Sequence, residues 1–287
     1  MSSLSNHEIP GRVTTFAGKG GLAAIRVESD FGTAEIYQHG AHVTCYCRKG
    51  ETPILFLSES SDFVPDKPIR GGVPIIFPWF GAREGGAFHG FARLADWDLT
   101  ESLALPDGSI RLTFLLPASG ELRVEYVVTV GASLLLELHA TNLSAEVVSI
   151  ENCLHTYFRI GDIHQVEVAG LKGAIYHDQL LAADVEEKDE SIRFSAETDR
   201  IYQHTEAAAD IIDPSLKRVI HVRKSGSKST VVWNPWIEKS KRMVDFGDDE
   251  YLQMVCVESG NVRDCAVRLE PGERTTLRVE IESSPLK

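Results

Sequence analysis

Four short segments set polar residues inside apolar or turn-forming surroundings. In Asn152-Cys153-Leu154-His155-Thr156-Tyr157-Phe158, a histidine follows the strand-like run 147–150 and sits in or near an apolar face. An imidazole of ordinary pKa, about 6.5, exchanges protons readily at neutral pH. In 254–261, the apolar run Met-Val-Cys-Val leads into Glu258 and a Ser-Gly turn. Burial raises a carboxyl pKa and opposite charge lowers it, so a glutamate so placed can be tuned as a base. In 88–93, His89 and Arg93 stand four apart; if extended, His89, Phe91 and Arg93 share a face. In 69–81, Arg70 precedes Gly71 and Gly72, where backbone can approach a ligand closely. Each has a plain structural alternative: an exposed arginine beside a turn, a satisfied core histidine, a glutamate emerging into solvent. Local sequence does not choose between these readings.

Other chemistries lack their motifs. There is no HExxH and no CxxC pair, and Gly18-Lys-Gly-Gly21 lacks the spacing and following helix of a phosphate loop. GxSxG is absent, which leaves a nucleophile elbow unsupported. No cofactor or metal is expected. Cys45 and Cys47 would share a strand face, but no second pair completes a metal set. With an odd total of five, the cysteines read as buried small hydrophobes rather than a disulfide framework.

The elements that must position these residues are strands. Residues 122–130 alternate and then become continuously apolar; Gly131-Ala132 follows, then a second apolar-rich run at 133–142, the pattern of a hairpin. Residues 110–116, 229–233, 254–257 and 275–281 read as further strands, while 184–192 is too short and charged for a helix. Short strands between turn residues make an all-β sandwich or barrel. Without repeat or linker, the expectation is one domain over 1–287, since β-sandwiches can exceed the usual domain length.

A hydrophobic share of 43% suffices for a sizeable core, and the net charge of −13 argues against a nucleic-acid partner. It does not exclude a small anion held by a few gathered arginines. The N-terminal stretch lacks a basic start and an apolar run, and no segment is apolar enough to span a membrane. A cytoplasmic, monomeric protein without a membrane partner is expected.

Taken together, the strings IRGGVPIIFPWFG, FHGFAR, LHTYF, ETDRIY, WNPWIEKSKRMVDFGDDEY and CVESGN, in that order across residues 69–261, resemble the hexose-6-phosphate mutarotases (glucose-6-phosphate 1-epimerases) of the aldose-1-epimerase-like family. The resemblance implies a galactose-mutarotase-like β-supersandwich and interconversion of the α and β anomers of an aldohexose 6-phosphate. It implies His155 as general acid and Glu258 as general base, without a cofactor. Arg70, Arg93 and Asp199 are implied substrate-binding residues, the arginines reaching the phosphate, and His89 an auxiliary histidine. On that mechanism His155 starts protonated and Glu258 ionised. Phe88 departs from members with Gln before the histidine, which removes one sugar hydrogen bond; Trp79 and Phe80 are expected to reshape the pocket. Two rival readings are a non-catalytic sugar-phosphate binder and a β-sandwich hydrolase using Asp199 with Glu258.

Overall fold

The computed structural model describes residues 3–117 and 120–286. It is all-β but for the short helix Trp236–Ser240 and a few 3-10 turns. The longest sheet has nine strands, in the order Ser191–Arg193, Glu167–Ala169, Ala209–Asp213, Arg218–Ser225, Arg274–Pro285, Leu134–Asn142, Leu122–Val130, Ile110–Leu115 and Asp98–Ala104. The expected hairpin lies at its heart, with Val130 opposite Leu134 and Leu122 opposite Asn142. Alternation does what period two requires: Val124, Tyr126 and Val128 bury against Leu134, Leu136 and Leu138 while the intervening residues stay partly exposed. Each such aliphatic burial stabilises the fold by roughly 1.5–3 kcal/mol.

The second large sheet carries the residues of interest. Its order is Ala183–Glu186, Ile175–Asp178, Thr198–Gln203, Ser229–Asn234, Met254–Asn261, Asn152–Leu154 and Ile75–Ile76, with Tyr157–Arg159 also pairing Met254–Asn261. The charged stretch 184–192 thus supplies strand ends rather than a helix. Ser229–Asn234 and Met254–Asn261 are buried along their whole length, which explains their near-continuous apolar character. Val232 and Val257 of this sheet join Val128 and Leu136 of the other in one core cluster.

A four-stranded sheet, Val13–Ala17 through Ala23–Glu28 and Gly32–Tyr37 to His42–Arg48, completes the main architecture. All five cysteines are free; Cys153, Cys256 and Cys265 are buried, but Cys45 and Cys47 are only half-buried. No helix among the described residues is long and apolar enough to cross a membrane.

Candidate active site

Strand register assembles the site. Leu154 pairs with Ser259 and Tyr157 with Cys256, so the ladder passes His155 directly opposite Glu258. Val231 lies opposite Glu258, Trp233 opposite both Cys256 and Asp199, and Ile201 opposite Val231. Directly opposed residues share a face. One sheet face therefore presents Asp199, Trp233, Glu258 and His155 side by side. Above it lies a cavity of about 520 Å³ that these four line together with Arg70, His89 and Arg93. All six residues singled out in the sequence meet there.

At the floor, His155 Nδ1 lies 3.3 Å from Glu258 Oε1. The ring nitrogen is not aimed at the oxygen, and Nδ1 has no hydrogen-bond partner among the described residues. The imidazole stacks on Tyr157, centroids 4.8 Å apart and planes 7° from parallel. Glu258 is 1% exposed, so it does not emerge into solvent. Its Oε2 accepts a 3.5 Å bond from the Cys153 thiol.

This environment shifts the proton affinities of both groups. Burial, reinforced by His89, Arg93 and Arg70, holds His155 well below its usual pKa. Burial and then the Asp199 charge push Glu258 well above its own, opposed by the Cys153 thiol and Arg93. Both shifts favour neutral imidazole and carboxylic acid, with one transferable proton between them. Replacing Cys153 with Ala removes a donor that stabilises the carboxylate. The acid limb of the pH–rate profile should move to higher pH, while Cys153→Ser should restore it. A limb unmoved in both would show the thiol contact has no electrostatic effect.

Arg70 and Arg93 differ in availability. The Arg70-Gly71-Gly72 turn requires its glycines: φ is +112° and +60°, and a Cβ would lie 2.6 Å from Leu57 Cα and 2.3 Å from Val43 O respectively. Arg70 then donates from Nε and Nη2 to Asp245 Oδ2, at 3.1 and 3.0 Å, and from Nη1 to the Tyr157 hydroxyl at 3.0 Å. Arg93 is 8% exposed and makes no ion pair among the described residues. Its Nη2 donates to the Phe88 carbonyl at 2.8 Å, and its Nε is buried without a partner. Burial and the neighbouring Arg70 pull its pKa down to about 10, so it stays charged at neutral pH. An unpaired buried guanidinium is a built receptor for an anion.

The segment from His89 to Arg93 is not extended, so the shared face that an extended run would give does not arise. His89 has φ +65° and Arg93 lies in the 3-10 turn Ala92–Leu94, so the local chain curls and the two reach the cavity from a loop. His89 Nδ1 accepts the Gly81 N–H at 3.0 Å, which leaves Nε2 as the donor of the neutral ring. Burial, Arg93 and Arg70 lower its pKa to about 3, so it stays neutral. Asp199 sits 3.6 Å from Lys239, which bonds Glu197 more closely at 2.9 Å. Phe80 lines the cavity as expected; Trp79 does not, its indole N–H bonding Ala87 O and its ring carrying Arg83. Phe88 is 56% exposed at the mouth and lies edge-on to His89.

The sequence reading missed Asp245, Tyr157, Lys239 and Cys153. Tyr157 and Cys153 stand two residues either side of His155, and period two was a signal for both. Nothing local marks Asp245, which meets Arg70 from 175 residues away.

The aldose 1-epimerase family model matches residues 24–282. The chain belongs to the aldose 1-epimerase family. A relative from Cenchrus ciliaris, named "Putative glucose-6-phosphate 1-epimerase", is 36% identical, with the match covering 88% of this chain and 82% of the relative. The crystal structure of a "putative mutarotase" from Salmonella typhimurium is similar to this family member with TM-score 0.89 and 30% identity, over 97% of this chain and 96% of that one. A galactose mutarotase-like protein from Clostridium acetobutylicum shares the fold at TM-score 0.69 and 14% identity, over 95% and 98%. The expected galactose-mutarotase-like architecture is thereby met, and this aldose 1-epimerase family member is an enzyme of sugar anomers.

Proposed function

We propose that the chain interconverts the α and β anomers of an aldohexose 6-phosphate, glucose 6-phosphate foremost, with His155 and Glu258 exchanging the protons. The observation that carries this reading is the placement of the Arg93 guanidinium, without an ion pair among the described residues, in the same cavity as the facing His155–Glu258 pair. The name of the Cenchrus ciliaris relative agrees with the substrate class.

The chemistry needs one group to take the C1 hydroxyl proton and another to protonate the ring oxygen. The ring opens, C1–C2 rotates, and the aldehyde closes on its other face with the roles reversed. The resting pair holds its proton on Glu258, but a phosphate changes the balance. Both arginines disfavour a proton on His155, and Arg93 also opposes the raised pKa of Glu258. An anion beside Arg93 cancels charge that disfavours the imidazolium and so raises the proton affinity of His155. In the reaction proposed here His155 acts as the imidazolium acid and Glu258 as the carboxylate base, the expected roles. Asp199 and the His89 Nε2–H supply an acceptor and a donor for sugar hydroxyls. Asp199 is held by Lys239 and Glu258 faces a histidine, an arrangement that favours ring opening over the two-carboxylate hydrolysis considered from the sequence.

The test compares relaxation of freshly dissolved α-anomers of glucose 6-phosphate and free glucose by polarimetry. The phosphorylated sugar should relax far faster per enzyme; equal acceleration of both would remove the phosphate from the proposal. Phe88→Gln should change kcat/KM among glucose, mannose and galactose 6-phosphates by about 2–10-fold, the worth of one neutral hydrogen bond. Unchanged ratios would show that position 88 does not read the sugar.

A further inference from the structure

The catalytic proposal makes no use of a third group beneath the pair. Cys256 lies two residues before Glu258 on the same strand and face, opposite both Tyr157 and Trp233. Ligand atoms of His155, Cys256 and Glu258 all lie within 4.8 Å of one another, and all three residues are buried. They are the one such grouping of metal-ligating side chains among the described residues.

We propose that the cavity floor is a binding site for a thiophilic divalent cation of the zinc type, held by His155, Cys256 and Glu258, which blocks the active site when occupied. Zinc takes sulfur at about 2.3 Å and nitrogen or carboxylate oxygen at about 2.0–2.2 Å in a tetrahedron, which sets ligand atoms roughly 3.3–3.7 Å apart. The His155–Glu258 separation of 3.3 Å already fits, and the sulfur needs a movement of about 1 Å. His155 and Glu258 line the cavity and Cys256 lies behind them, so an ion held by the three would be reached from the cavity side.

The donor set selects the ion. One thiolate, one imidazole and one carboxylate suit a borderline-soft metal, whereas magnesium and calcium require several oxygens. On binding, the thiol proton and the pair's shared proton leave to solvent. The dication then meets two anions and a neutral ring, so the buried site carries no net charge. The ion occupies the nitrogen and oxygen that must exchange protons with the sugar, which makes it an inhibitor competing with substrate. This consequence rests on the proposed function; the binding itself does not.

The experiment titrates cobalt(II), a spectroscopic stand-in for zinc, into the 287-residue chain and follows the thiolate-to-cobalt charge-transfer band in the near ultraviolet. A band at stoichiometric metal is expected, present in Cys153→Ser and lost in both Cys256→Ser and Cys256→Ala, each checked for an intact thermal transition. In parallel, zinc should inhibit anomer exchange reversibly on EDTA addition, and Cys256→Ser should raise the half-inhibiting concentration by about tenfold or more. No band in the parent chain, or a band that survives both Cys256 substitutions, overturns the site. A band without any sugar-phosphate turnover would sustain the site and overturn the proposed function instead.

Discussion

Glu258→Gln lowers catalysed anomer exchange of glucose 6-phosphate by about 10²–10⁴-fold, the typical worth of one positioned proton-transfer group. The amide keeps the shape of the side chain but neither accepts nor releases the proton. The same change raises the thermal midpoint at neutral pH. The sign follows from the shift: burial lifts the folded pKa of Glu258 above its unfolded value. Such a group costs stability increasingly as pH rises above the unfolded value, and glutamine removes that cost. The gain should therefore shrink in acid, where the carboxyl is protonated in both states. Calorimetry across pH checks it. A variant both inactive and less stable would mean that Glu258 serves the fold rather than the reaction.

Arg93→Met lowers kcat/KM for glucose 6-phosphate by about a hundredfold, since charge-assisted hydrogen bonds of about 1.5–3 kcal/mol are lost. Free glucose should suffer little. Because an anion beside Arg93 also raises the proton affinity of His155, part of the loss should appear in kcat and not in KM alone. Inorganic phosphite, a dianion small enough to sit beside free glucose, should accelerate free-glucose turnover by the parent chain and not by Arg93→Met. If the substitution harms both sugars equally, Arg93 supports the cavity without binding phosphate. Arg70 makes the contrasting case: Asp245 already neutralises it, so its loss should disturb Tyr157 and the cavity wall for either sugar.

The fold was legible because the strands obey period two. The 122–142 hairpin and the buried strand at 229–234 stand where alternation and apolar runs place them, whereas the strand expected over 254–257 runs on to Asn261, straight through the Ser259-Gly260 pair that reads as a turn. The site was legible only as a set. His155 and Glu258 are separated by 103 positions, and only the antiparallel register that sums Leu154–Ser259 and Tyr157–Cys256 brings them face to face. Local sequence is silent on that pairing. It is silent too on protonation, because the shifts come from burial and from arginines delivered by distant loops. The curl at His89 escaped notice since a non-glycine residue at positive φ has no sequence mark.

The central claim is that the facing His155–Glu258 pair moves protons at the anomeric centre of a phosphosugar. Two-dimensional exchange NMR on equilibrated glucose 6-phosphate, with catalytic amounts of the chain, reads that step directly. The account predicts strong exchange cross-peaks between the α and β anomeric protons, abolished in Glu258→Gln and in His155→Asn. Exchange no faster than the spontaneous rate, or exchange undiminished in those two variants, would contradict it.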